Sequence, residues 1–427
     1  MKRIRINPKI LKGTISIPPS KSLCHRGIIS AALANEESTI SNVIFSDDIH
    51  ATCQGMEILG ARIEDLGHGV LKIKGNAREL EKEIDIDSKE SGSTLRFLIP
   101  ISMLHDNTKV FTGRGKLVSR PLESYYKIFD EQGIIYSTEN GNLPLEIQGK
   151  LKAGAFEIEG NISSQFITGL LFTLPLLDGD SRIIVKGDLE SKGYVDLTLD
   201  TLNKFGIRVE NKDYQEFLIK GNQKYKAIDY RVEGDFSQAA FWLVAGIIGE
   251  EITSLDLNIE SLQGDKVIMD LIKEMGGHIE ITKDKVITRR SDTKGIEIDA
   301  SQCPDIVPIL TVLAALSEGE TRIINAARLR IKESDRLKAI STELNKLGAV
   351  VRELEDGLVI QGKKSLKGGI VDSWNDHRIA MSLAIASLRC TEEVTITNSH
   401  AVSKSYPHFW EDFKKIGGDV HELNMGE

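Results

Sequence analysis

Four cysteines in 427 residues, none in a Cys-x-x-Cys pair, leave no disulfide framework and no thiol cluster for a metal. Cys24, Cys53, Cys303 and Cys390 stand alone, as thiols do in a reducing cytoplasm. Surplus positive charge is also missing. A net charge of −9 argues against a general nucleic-acid or acidic-membrane surface, so an anion site must be built locally. The longest apolar runs, near Ala239–Ile248 and Phe166–Leu177, are too short to cross a bilayer. The first six residues alternate charged and apolar like an exposed strand, with no signal-peptide core behind them. Nucleotide-binding glycine motifs, a His-x-x-x-His pair and a Gly-x-Ser-x-Gly elbow are absent too. These absences predict a cytoplasmic protein without metal, nucleic acid or membrane.

What is present is a repeat. Gly60, Gly133, Gly206, Gly276, Gly348 and Gly417 follow amphipathic stretches and precede alternating ones, at intervals of about 70 residues. Each reads as a helix-stopping glycine leading into a strand. In phase with them run six Ala/Ile/Leu-rich segments with polar heads: Ser22–Leu33, Ser91–Leu104, Ser163–Leu176, Ser237–Ile248, Asp305–Leu316 and Asp376–Leu388. Being apolar nearly all round, they predict helices buried within each domain, with sheet outside. Three units are needed to enclose three such helices, so six give two domains. The division falls near Arg231-Val232-Glu233, and Pro18-Pro19 reads as a second crossover. The expected domains are therefore 19–231, and 1–18 plus 232–427. The N-terminal strand is expected to complete the last repeat.

The helix heads carry the chemistry-bearing residues. Ser91, Ser163, Ser237, Asp305 and Asp376 suit N-caps in any protein. Lys21, Arg26, Arg96, His377 and Arg378 do not, because a helix N-terminus is already positive. Cations set against the dipole imply an anionic ligand. The loops Gly113–Arg120 and Arg328–Arg336, and Ser403-Lys404-Ser405, add more cations. Such a set suits a ligand bearing several phosphate or carboxylate groups, and the acids left for proton work are Asp305 and Glu333.

The motifs themselves are specific. In order they are Pro-Ser-Lys-Ser-x-x-His-Arg at 19–26, Ser-Arg-Pro at 119–121, Ser-Ser-Gln-Phe at 163–166 and Pro-Asp at 304–305. Lys-Glu-Ser-Asp-Arg at 332–336, Asp-His-Arg at 376–378 and Ser-Lys-Ser-Tyr-Pro at 403–407 complete the series. The chain resembles the 5-enolpyruvylshikimate-3-phosphate synthase family over essentially its whole length. The resemblance implies an α/β fold of two domains, each of three βαβαββ-like units, with the active site in the cleft between them. It implies that Ser22, Arg26, Ser163, Ser164, Ser191 and Lys332 hold shikimate 3-phosphate, with Tyr194 nearby. Gly92, Arg120, Arg336, Arg378 and Lys404 would hold phosphoenolpyruvate, and Lys21 and Gln165 would meet both ligands. Asp305 would take the proton of the substrate hydroxyl; Glu333 would give and retrieve the proton on C3, with Lys21 a rival for some transfers. The family implies no cofactor and small-molecule partners only; a monomer is expected.

Two positions depart from the family pattern: Glu90 stands where an amide is usual, and Arg328 where an asparagine is usual. The alternative is UDP-N-acetylglucosamine enolpyruvyl transferase, which usually has Lys-Asn in place of Lys21-Ser22 and typically a reactive cysteine in the loop that holds Arg120. Phe111–Arg120 holds no cysteine. A non-enzymatic six-unit ring, such as a sliding clamp, would need basic residues lining a duplex-sized hole.

Overall fold

The computed structural model describes residues 2–76, 79–283 and 285–423. The six glycines that end the amphipathic helices all take positive φ, from +66° at Gly133 to +105° at Gly417. A side chain there would be strained, so each stop is fixed by sequence. The apolar segments form the helices Lys21–Ala32, Gly92–Ser102, Ser164–Thr173, Phe236–Ile248, Val307–Ala315 and His377–Ala386. Every residue of Phe236–Ile248 is buried, which is why that helix has no polar face.

One repeat shows the plan. Strand Glu83–Asp87, helix Gly92–Ser102, strand Thr108–Thr112, helix Glu123–Gln132 and strands Ile135–Glu139 and Asn142–Gln148 follow in order. Glu83–Asp87 pairs parallel with Thr108–Thr112, Asn142–Gln148 pairs antiparallel with that strand, and Ile135–Glu139 closes the edge. Strand residues alternate buried and exposed, so one sheet face packs on the helices. Six four-stranded sheets of this kind are described, separate and not closed into a barrel.

The chain forms two compact units. A continuous unit spans Lys21–Val232, and a split unit comprises Met1–Ser20 with Glu233–Glu427. The divisions fall one or two residues after the expected ones, because the crossing strands pair with each other. Pro19 bridges Gly234, and Ser20 N donates to Glu233 O at 2.8 Å, so both stay with the split unit. Within that unit Arg3–Asn7 lies between Val394–Thr397 and Asp419–Leu423, antiparallel to both. Gly13–Ser16 pairs parallel with Glu251–Leu255. In the continuous unit, Asp229–Arg231 supplies the parallel strand beside Glu37–Ser41. Each unit thus takes a strand from the chain segment next to a crossover. No helix among the described residues is long and apolar enough to cross a membrane.

Candidate active site

In the continuous unit the helix heads are stitched at one end. Lys21 Nζ donates to Asp48 Oδ2 at 2.7 Å, and Thr94 Oγ1 donates to Asp48 O at 3.3 Å. These bonds join the heads of the helices Lys21–Ala32, Asp47–Ile58 and Gly92–Ser102. Gln165 Oε1 accepts from Arg96 Nη1 at 2.8 Å while Gln165 Nε2 donates to Ser93 Oγ at 3.0 Å, bringing in the Ser164–Thr173 helix. Arg26 ties the first helix to Lys192–Lys204: its guanidinium donates to Thr198 Oγ1 at 2.9 Å, Tyr194 O at 2.8 Å and Ser22 O at 2.7 Å. Ser191 precedes that helix in a left-handed conformation, at φ 56°. Ser163 Oγ caps its helix on Gln165 N at 3.3 Å, with Ser164 buried beside it.

Arg120 and Gly92 are in contact. A Cβ on Gly92 would lie 2.4 Å from Arg120 Nη1, so the glycine makes room for the guanidinium. Arg120 is buried, and its Nε has no hydrogen-bond partner among the described residues. A buried donor left open is costly and marks where an acceptor belongs. His25 faces inward instead, 2.7 Å from Thr52 Oγ1, and burial, then Lys21 and Arg26, drive its pKa well below the usual value. It is a neutral core residue. Glu90 packs against Gly115, 3.1 Å from where a Cβ on that glycine would lie.

The split unit gathers its residues around one guanidinium. Arg336 donates from Nη1 to Asp305 Oδ1 at 2.9 Å, from Nη2 to Glu333 Oε2 at 2.6 Å and from Nε to Asp376 Oδ2 at 2.8 Å. Burial opposes its charge, but Asp376, Glu333 and Asp305 hold its pKa well above the ordinary value. Asp305 also pairs with Arg378 Nη2 at 3.3 Å and Lys332 Nζ at 3.6 Å. Burial lowers the Lys332 ammonium to about 8; Arg328 and Arg336 push the same way and Asp305 opposes them. Lys404 Nζ donates to Asn375 O at 2.6 Å, just before Asp376. Arg328 Nη2 donates to Ser301 O at 2.6 Å.

Capping accounts for part of the polar heads. Ser91, Ser163 and Asp376 each accept a bond from the first turn of their helices. Asp235, and not Ser237, caps Phe236–Ile248. Asp305 sits in a one-turn helix, Pro304–Ile306, and the following helix has no side-chain cap. Its carboxylate faces cations.

Two buried acids lie among these groups without having stood out in the sequence, Asp48 and Asp265, beside the buried Asp235 of the helix head Gly234-Asp235-x-Ser237. Ser237 Oγ donates to Asp265, whose pKa rises to about 6 through burial and then the charge of Asp305. Gly264-Asp265, a Gly-Asp pair like Gly234-Asp235, was the available signal for Asp265.

Comparison with known proteins identifies the family. A family model described as EPSP synthase (3-phosphoshikimate 1-carboxyvinyltransferase) matches residues 6–413. The chain is 63% identical over 430 residues to a 3-phosphoshikimate 1-carboxyvinyltransferase of Clostridium acetobutylicum, covering all of both chains. It is 59% identical over 435 residues to the protein of that name from Clostridium novyi, again covering all of both. The EPSP synthase structure from Acinetobacter baumannii superposes with a TM-score of 0.83 at 26% identity, over 99% of this chain and 100% of that one.

Proposed function

Because the chain belongs to the EPSP synthase family, we propose that it transfers the enolpyruvyl group of phosphoenolpyruvate to the 5-hydroxyl of shikimate 3-phosphate. The products are 5-enolpyruvylshikimate 3-phosphate and inorganic phosphate, on the route to chorismate and the aromatic amino acids. The observation that carries the reading is the pair of acids, Asp305 and Glu333, held on the single buried guanidinium of Arg336.

Ser22, Arg26, Ser163, Ser164, Ser191 and Lys332 bind shikimate 3-phosphate. Gly92, Arg120, Arg336, Arg378 and Lys404 bind phosphoenolpyruvate, with Lys21 and Gln165 touching both. Ligand oxygens compete with Asp305 and Glu333 for guanidinium N–H groups, which frees the two carboxyls for proton transfer. Asp305 takes the proton as the 5-hydroxyl oxygen attacks C2, and Glu333 gives a proton to C3. The tetrahedral intermediate then expels phosphate, which carries off the proton held by Asp305, while Glu333 takes a C3 proton back. One group acting in both directions is ordinary acid–base catalysis. The cations stabilise charge where it develops. No electron is transferred overall and no cofactor is needed. The enzyme works in the cytoplasm as a monomer.

The test is phosphate release from phosphoenolpyruvate with either shikimate 3-phosphate or UDP-N-acetylglucosamine. Turnover with the first acceptor alone is expected; turnover only with the second would reverse the assignment.

A further inference from the structure

One buried acid of the split unit has no place in that assignment. Glu343, in the middle of the Arg336–Lys346 helix, is 1% exposed. In sequence it looks like half of a surface pair with Lys346, three residues on. In the fold it accepts from Asp372 N at 3.0 Å, from Trp374 Nε1 at 2.8 Å and from Lys346 Nζ at 2.8 Å. Glu343 follows Arg336 by seven residues, two helical turns, which places both on one face. Arg336 grips Asp376 from that face. One helix therefore holds the Asp372–Asp376 segment at both ends.

The segment it holds is sharply bent. Trp374 and Asn375 are consecutive left-handed residues, with φ of 55° and 53°. Neither is glycine, so the bend is strained and persists only because its surroundings fix it. The bend delivers the Asn375 carbonyl to Lys404 Nζ at 2.6 Å. It also seats Asp376 at the head of His377–Ala386, where Oδ1 accepts from Arg378 N at 2.9 Å. Two of the three cations assigned to phosphoenolpyruvate in this unit, Lys404 and Arg378, thus hang on the segment that Glu343 anchors, and the third, Arg336, grips it from the same helix.

We infer that Glu343 is a positioning residue for the phosphoenolpyruvate subsite. Its carboxylate keeps the Trp374–Asn375 bend in the shape that aims Lys404 and Arg378, though it touches no ligand. This inference rests on the functional reading above. Both carboxylate oxygens are needed: a glutamine presents one acceptor and turns an N–H₂ toward a donor.

Steady-state kinetics of Glu343→Gln and Trp374→Phe, varying each substrate with the other saturating, tests it. For Glu343→Gln the KM for phosphoenolpyruvate is expected to rise about tenfold, with the KM for shikimate 3-phosphate nearly unchanged and a smaller fall in kcat. Trp374→Phe removes the indole donor alone and should move the same constant by a few-fold. A fall in kcat with both KM values unchanged, or an equal rise in both, would overturn the inference. If Glu343→Gln fails to fold, an unchanged phosphoenolpyruvate KM in Trp374→Phe overturns it alone. A wild type that releases no phosphate with this substrate pair overturns the functional reading, and this inference with it.

Discussion

The helix-head arginines of the two units stand in different electrical states, with Lys21, paired to Asp48, the continuous unit's exception. In the continuous unit Arg26 and Arg96 donate to carbonyl, hydroxyl and amide oxygens, and Arg120 has a buried Nε with no partner among the described residues. Burial lowers the pKa of Arg26 to about 10, the mark of a cation with little opposing charge nearby. In the split unit a single guanidinium is held by three carboxylates. Neutral partners fix a guanidinium in place without cancelling its field, so the first arrangement suits anion capture. Carboxylates cancel the field but stand ready to move protons. Breaking the second cluster is also expensive: removing one member of a buried charge set costs about 3–5 kcal/mol, because the others stay buried and unpaired. The difference separates holding from chemistry, and four substitutions probe it.

The largest effect is expected where the acids are. Asp305→Ala and Glu333→Gln should each lower kcat by about 10²–10⁴, the usual scale of general acid–base catalysis, with much smaller changes in either KM. Single-turnover phosphate release measures this. If either variant kept near-normal kcat and lost affinity instead, the split unit would be a binding surface like the other, and the contrast would fail.

How much of this contrast was legible before the fold was known follows from the range of each signal. Helix stops, apolar helices and alternating strands are local patterns, and Gly133, Gly206 and the others took the conformations their positions required. Cations at helix heads also stood out, since nothing local explains Lys21 or Arg378. Their partners did not. Asp48 lies 27 residues from Lys21, and Asp376 lies 40 from Arg336, so only the fold shows which cations are neutralised. Glu343 was hidden differently: a Glu in a polar helical stretch reads as solvated, and only its spacing from Arg336 hinted otherwise. His25 is a different case. It shares a helix head with Lys21 and Arg26, but a helix turns its residues through all directions, and this one points into the core.

A middle-sized effect is expected at Gly92. A methyl group there would sit 2.4 Å from Arg120 Nη1 and 2.9 Å from its Cζ, so the arginine must swing aside. Glycine to alanine changes no charge, and the helix gains from the substitution. The KM for phosphoenolpyruvate should rise about tenfold, on the scale of a lost charged hydrogen bond, while stability and the KM for shikimate 3-phosphate hold. Equal loss of both affinities would mean that Arg120 does not serve one ligand alone.

The smallest effect belongs to Lys332, and its sign is fixed by the direction of its shift. Burial, with Arg328 and Arg336 adding to it, lowers the ammonium from 10.5 to about 8. The group is charged below that pH and neutral above it, so phosphate binding that needs the charge is complete at low pH and fades as pH rises. With half the molecules deprotonated near pH 8, the KM for shikimate 3-phosphate should be about twofold above its low-pH value, and should climb further toward pH 9. Lys332→Arg keeps a cation throughout this range and should flatten the profile, whatever it does to the absolute KM. A wild-type KM that stays level from pH 7 to 9 would remove Lys332 from the phosphate site. It would leave Lys332 as one more partner of Asp305, and the split unit's cations would then serve the carboxylates before they serve any ligand.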